Sequence, residues 1–421
     1  MKEQDVLRHI GISPSTHNPT MNRIISIALA GLVIITSGGC KAKQTATKPT
    51  EPDYGRQLGP GESALRLITD PNRMPDIAGA YQNRDVFLET SIDNSKKWFN
   101  APSSKQFFPF ENITHEQARA SLYAFEQLLM SSPDEASFVA EVKKQFDVYE
   151  SVGYNNEGIV LFTGYYAPIF NASRTPSAKY TAALYKRPAD LATDPKTGEP
   201  QGRKMPGGGT QPYPTRKEIE QSGMLKGTEL VWVEDALSAY IIQVNGSAKL
   251  RMEDGSEMFI GYAGKTDRPY VGLGKSMLDT GMLTSNELSL PAIRRKYKEN
   301  PQAVKELMDR NESYVFFTEY PPDKWPCGSL GVKVSAERSL ATDKKIYPRG
   351  GLVIVDTQAV NFSMGKRRFL RFMLDQDTGG AIKAPGRADI YMGEGASAEI
   401  LAGGQYAEGR LYYFFLKPEF V

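Results

Sequence analysis

From Thr114 to Phe146 apolar residues recur at helical spacing, and after Gly153 they contract into short runs broken by glycine and proline. Thr114-x-x-Gln117 is a capping-box signal, and Ala118, Leu122, Phe125 and Leu129 follow on one face of the helix it opens. Ser132-Pro133-Asp134-Glu135 opens a second helix carrying Phe138, Val142 and Phe146. Both stripes read as core. The later runs predict strands at 159–162, 231–233, 239–244, 258–262, 314–317, 352–355, 369–374 and 411–416. Leu288 to Tyr297 and a segment capped by Asn300-Pro301, with Val304, Leu307 and Met308, add two helices. This is a mainly β chain with flanking helices, built as barrels or sandwiches rather than an alternating parallel sheet.

Ahead of this lies a different texture. Met21-Asn22-Arg23 precedes the apolar run Ile24 to Ile35 and the small residues before Cys40. That run is too short for a membrane span, which needs roughly 20 residues, and fits an export signal. It resembles a bacterial lipoprotein signal, implying cleavage before Cys40 and lipidation of its sulfur, although Ser37 stands where that pattern usually has an aliphatic residue. Residues 1–39 are then leader, and 40–66, rich in Thr, Pro, Lys and Gly, a flexible tether. Met21 is an alternative start. The chain has 51 Lys and Arg against 49 Asp and Glu, and loss of the leader leaves the balance near zero, which argues against nucleic acid as a partner. Cys327 is then the sole unmodified thiol, so no internal disulfide can form.

Candidate chemistry concentrates near the C-terminus. Asp377-Thr378-Gly379-Gly380 and Asp389-Ile390-Tyr391 place two carboxylates on either side of a glycine turn. Of three histidines, His9 and His17 fall in the leader, leaving His115. Ser-His or Cys-His catalysis and multi-histidine zinc sites therefore have only His115 to draw on, and carboxylates become the acid/base groups. A free aspartate of pKa about 3.9 is only about one part in a thousand protonated at neutral pH, so a general acid here must have its pKa raised. Asp389, between Ala388 and Ile390, has the more apolar setting and is assigned as the acid; Asp377 has polar neighbours. On spacing alone, Asp389 equally fits a turn residue accepting backbone hydrogen bonds. Asp-Thr-Gly is also the aspartic-protease motif, but it occurs once, so that reading requires a homodimer.

The segment Asp377-x-Gly379-Gly380-Ala381-Ile382-Lys383 followed by Asp389-Ile390-Tyr391-x-Gly393 resembles the C-terminal signature of the membrane-bound lytic murein transglycosylase A family. Phe162-Thr163-Gly164-Tyr165-Tyr166-Ala167-Pro168, Tyr213-Pro214-Thr215-Arg216, Gln243-x-Asn245-Gly246-Ser247, Gly261-Tyr262-Ala263-Gly264-Lys265 and Arg338-Ser339-Leu340-Ala341-x-Asp343 match in the same order. The resemblance implies a double-psi β-barrel formed by 67–165 and 314–421, an inserted β domain at 166–313, and a groove between them for peptidoglycan strands. It implies a cofactor-free, metal-free enzyme that cuts the bond between N-acetylmuramic acid and N-acetylglucosamine without water, leaving 1,6-anhydro ends. Asp389 matches the family's catalytic aspartate and Asp377 a supporting one. Thr163, Tyr165, Tyr166, Gln243, Ser247, Tyr262, Lys265 and Tyr391 fall in the matching motifs and are the expected glycan contacts. For each tyrosine, barrel packing is the competing reading, and for Lys265 a solvated surface charge. Trp232 and Trp325 read as core or interdomain residues. Localisation follows as the periplasmic face of the cell envelope, with Lys41 after Cys40 pointing to the outer membrane.

Met392, Ala248-Lys249 and Pro385 depart from the family pattern at positions that bear on subsites rather than on the acid. Two other functions fit much of the same sequence: a non-catalytic peptidoglycan-binding lipoprotein and a hydrolytic muramidase.

Overall fold

The computed structural model describes residues 52–195, 197–361 and 365–421, so the leader and Cys40 lie outside the described residues. In chain order it runs β1 (Leu65–Leu67), α1 (Ile77–Gln82), α2 (Val86–Asn100), α3 (His115–Ser131), α4 (Glu135–Gln145), β2 (Phe146–Ser151) and β3 (Val160–Ala167). A second group follows: β4 (Ile169–Ser173), β5 (Ala182–Tyr185), β6 (Leu191–Thr193), β7 (Pro200–Lys204), β8 (Thr210–Gln211), α5 (Arg216–Ser222), β9 (Glu229–Val233), α6 (Ala236–Asn245), β10 (Ser247–Met252), β11 (Glu257–Lys265), α7 (Leu273–Asp279), α8 (Leu290–Glu299), α9 (Pro301–Met308) and β12 (Val315–Glu319). The chain closes with β13 (Ser339–Ala341), β14 (Leu352–Val360), β15 (Lys366–Asp377), β16 (Arg387–Glu394), α10 (Gly395–Gly404) and β17 (Tyr406–Leu416).

Strands β3, β17, β14, β15, β13 and β16 pair in that order, and β16 returns to β3, so the sheet closes into a barrel. Two of its contacts, β13 with β15 and β16 with β3, are parallel; the others are antiparallel. Closure leaves this ring without edges. The barrel interior and helices α1–α4 share one core that includes Phe125, Phe138, Phe162, Phe372 and Phe414.

The amphipathic helices form as their spacing predicts, with Thr114 and Asp134 side chains accepting from the backbone of Gln117 and Ser137. Only half of the predicted capping box exists, because the Gln117 amide instead donates to the Leu416 carbonyl at 2.7 Å. Phe146 ends α4 and starts β2 rather than extending the helical stripe.

The second sheet has the order β12-β11-β10-β4-β9-β5, and Lys186, just past β5, bridges to Phe317 of β12, curling its edges together. It reaches residue 319, so residues 314–319, expected in the catalytic domain, pair with the inserted one. The tether expectation is corrected at its end. Arg56 donates to the Tyr154 carbonyl and to Asn156, and Leu65–Leu67 pairs with β2, because this segment finds backbone and charged partners on the barrel.

The predicted strand at 239–244 is instead inside α6. Asp235 caps it, Gly246 ends it in the left-handed conformation, and its apolar residues divide between two cores, Ala239 and Ile242 facing one and Tyr240 and Ile241 the other. A helix buried on several sides has no polar face, and its short apolar run reads like a strand.

Candidate active site

Asp389 lies in β16 between Ala388 and Ile390, both in the barrel core, so strand alternation turns its carboxyl to the outer face. Register fixes its neighbours. Opposite it are Thr163 of β3 on one side and Ala341 of β13 on the other, and Ala341 in turn pairs with Asp377 at the end of β15. The carboxylates that the sequence sets across a turn are therefore separated by an intervening strand, roughly 10 Å apart at the backbone for two strand spacings. What brings them to one level is the shared partner Ala341.

The two differ in what holds them. Asp389 Oδ1 accepts the Thr163 hydroxyl and lies 3.6 Å from Arg387 Nη2, which also donates to Thr163 Oγ1 at 3.1 Å. Its Oδ2 has no hydrogen-bond partner among the described residues. Burial raises its pKa above the ordinary 3.8, against the opposing pull of Arg387 and the Thr163 hydroxyl. Its side chain keeps 17% exposure, enough to meet a ligand.

Asp377 is fully engaged. Oδ1 accepts the backbone N–H groups of Ser329 and Thr378, each at 2.8 Å, and Oδ2 accepts the Tyr165 hydroxyl at 2.8 Å. Burial raises its pKa too, opposed by those donors and by Lys344. Tyr165 pairs in register with Tyr391 of β16, their ring centroids 5.1 Å apart, and the Tyr391 hydroxyl is buried with no partner among the described residues.

Thr163, Tyr165 and Tyr391, expected from the sequence as glycan contacts, lie beside the two aspartates. From the inserted sheet, Lys265 brings its ammonium to the Gly379–Gly380 turn, 3.6 Å from where a side chain on Gly380 would begin. Burial, then the Lys383 field, lowers its pKa. Tyr262, on the same strand, is exposed, and Ser247 begins β10. Two expected contacts face elsewhere. Tyr166 alternates off the Tyr165 face and donates to Glu399, which Arg294 also grips. Gln243 lies buried in α6, its Oε1 unpaired among the described residues.

Trp325 is interdomain: its indole donates to the Ile260 carbonyl, and it shares a cluster with Ala167 and Tyr391. His115 sits between Phe99 and Phe108, its Nε2 2.7 Å from the buried Ser104 hydroxyl, which donates to backbone carbonyls. It is a packing residue.

Sequence reasoning missed Arg387 and Tyr270. Arg387 was accessible to it, since it stands two residues before Asp389 on the same strand face. Tyr270 of the inserted domain lies close enough for the Asp389 charge to act on its phenol, whose pKa is raised chiefly by burial. It follows no motif, and only the fold places it there.

The profile of the MltA specific insert domain matches residues 161–318, and that of the 3D domain matches residues 338–415. Membrane-bound lytic murein transglycosylase A of Escherichia coli (strain K12) is 28% identical over 407 residues, which cover 94% of this chain and 97% of the relative. The crystal structure of a membrane-bound lytic murein transglycosylase from Agrobacterium tumefaciens shares the fold with a TM-score of 0.67 at 23% identity, over 84% of this chain and 98% of that one. E. coli MltA with bound chitohexaose gives 0.61 at 26% identity, over 88% and 100%.

Proposed function

Because the chain belongs to the membrane-bound lytic murein transglycosylase A family, we propose that it cuts peptidoglycan glycan strands between N-acetylmuramic acid and N-acetylglucosamine without water. The products carry 1,6-anhydro ends. Asp389 protonates the leaving oxygen, and its carboxylate then takes the proton of the muramyl C6 hydroxyl as that oxygen closes on the anomeric carbon. One carboxylate suffices, because the nucleophile is tethered to the reacting sugar.

The contrast between the two aspartates carries this reading. Hydrolytic inverting glycosidases hold two carboxylates roughly 6.5–9.5 Å apart, one free to place water, and the strand spacing alone would allow that. Asp377, however, has both oxygens occupied by two N–H groups and a phenol, whereas Asp389 keeps Oδ2 open. Asp377 therefore acts as a fixed negative neighbour that orients Tyr165 and eases positive charge developing on the sugar.

The glycan lies in the groove between barrel and inserted sheet. Tyr165, Tyr262 and Lys265 contact it, and Tyr391, buried in the wall of the site, packs against the Tyr165 ring from behind. The enzyme belongs to the cell envelope, as its membrane-bound relatives do. A lipid on Cys40 holds it at the periplasmic face of the outer membrane. Digestion of purified murein followed by mass spectrometry tests the reaction: anhydro ends support it, reducing ends mean hydrolysis, and intact sacculi mean binding alone.

A further inference from the structure

The row of side chains through Asp389 does not stop at Thr163. Tyr406, the first residue of β17, pairs directly with Thr163 on the side away from Asp389, so Tyr406, Thr163, Asp389, Ala341 and Asp377 share one level and one face of the barrel. Directly opposed residues hold their Cβ atoms about 5 Å apart. Tyr406 is therefore within two strands of the acid, and it is 60% exposed. An aromatic ring that open, within a closed sheet rather than on an edge, is packing little of the fold.

It is not alone there. Glu408, two residues along on the same face and also exposed, accepts the Tyr54 hydroxyl at 2.8 Å, and the Tyr54 ring meets Tyr154 edge-on with centroids 5.0 Å apart. Arg56 pins this segment through the Tyr154 carbonyl and Asn156. The Tyr54 phenol is held above its ordinary pKa by burial first, then by Glu408, with Tyr406 and Tyr154 adding to the shift, so each of the three lies near that phenol. Three chain segments, around residues 54, 154 and 406, thus assemble a tyrosine shelf at the β17 flank of the acid.

We infer that Tyr406, backed by Tyr54, is a stacking platform for an uncharged N-acetylhexosamine ring of the glycan, beyond the sugars joined by the bond that Asp389 attacks. The ring face of a tyrosine suits the C–H face of a pyranose, and Glu408 accepts a sugar hydroxyl. The Glu408 carboxylate also disfavours an acidic substituent at this position, which selects the neutral sugar of the alternating strand. The inference rests on the glycan-cleaving reading above.

Chito-oligosaccharides from chitobiose to chitohexaose, titrated calorimetrically against the full chain, test it. Wild-type affinity rises with length. Tyr406→Ala loses about 3- to 10-fold in affinity for chitohexaose, the range of one aromatic contact, while its affinity for chitobiose shifts by less than twofold. Tyr406→Phe keeps the wild-type length dependence. Equal affinity of wild type and Tyr406→Ala for chitohexaose overturns the shelf, and so does an equal loss at every length, which reports a general disturbance of the groove. If the wild type binds none of the series, the glycan reading itself falls, separately from the shelf.

Discussion

Thr163 and Asp389 face each other across two parallel strands, and the threonine hydroxyl is given to one carboxyl oxygen while the other stays open. That arrangement orients the acid without occupying the atom that must carry the proton. Asp389→Asn is expected to lower turnover on murein by about 10²- to 10⁴-fold, the usual contribution of a general acid, with glycan affinity retained. Turnover of the variant within a few-fold of wild type would remove Asp389 from the mechanism.

The pKa of Asp389 predicts two pH effects. Activity needs the protonated form, so kcat falls on the alkaline side as pH rises through a value above the ordinary 3.8. Arg387 and Thr163 both pull that value down, so Arg387→Met and Thr163→Val each move the alkaline limb to higher pH. A limb that moves down contradicts this.

Stability follows the opposite interest. A carboxyl whose folded pKa is raised contributes fully below its unfolded pKa, and that contribution is lost as pH rises through the folded value. Asp389→Asn never charges. Its Tm is therefore expected to exceed that of wild type at neutral pH and to converge with it in acid; equal Tm values across the range would show that burial of this carboxyl costs nothing.

Asp377 and Tyr165 act as a unit. Tyr165→Phe and Asp377→Asn are each expected to reduce kcat less than Asp389→Asn does, and the double variant is expected to lose less than the product of the single effects. Strict multiplicativity in a double-mutant cycle would dissolve the unit.

Gly164 faces α10 so closely that a Cβ there would lie 2.8 Å from Ala402 Cα, a backbone atom that cannot step aside. Gly164→Ala should cost about 1–3 kcal/mol of stability by overpacking, read from denaturant unfolding.

Arg294 of α8 and Tyr166 of β3 both hold Glu399 of α10, which fastens the inserted helices to the barrel. Arg294→Ala is expected to speed amide exchange across Leu290–Glu299. Unaltered exchange there means that the fastening lies elsewhere.

The sequence disclosed what is local. Short apolar runs between glycines and prolines marked seven of the seventeen strands among the described residues, the Asp134 and Asn300 caps marked helix starts, and Asp389 between two apolar residues marked a buried carboxyl. It hid what depends on strand order. Asp377 and Asp389 are close in sequence, yet β13 slides between them, and nothing in the residues 378–388 announces it. Tyr165 and Tyr166 are adjacent and identical, and only the direction of β3 decides that one serves the site and the other the α8 contact. Tyr270 comes near the acid, and Tyr406 beside the acid's hydroxyl donor, through folding alone, from segments with no distinguishing pattern.

The inserted sheet is joined to the barrel by two very unequal connections. Between β3 and β4 there is only Pro168, whereas residues 320–338 separate β12 from β13. The longer one is nonetheless packed: Trp325 within it is buried with its indole on the Ile260 carbonyl, and Ser329 gives its N–H to Asp377. A glycan wedging the groove wider therefore pulls on both, through Pro168, a residue with a locked φ, down the strand that bears Thr163, and through Ser329 on Asp377. Mechanical load on the substrate would thus be felt at the acid's own hydroxyl donor and at its fixed carboxylate neighbour.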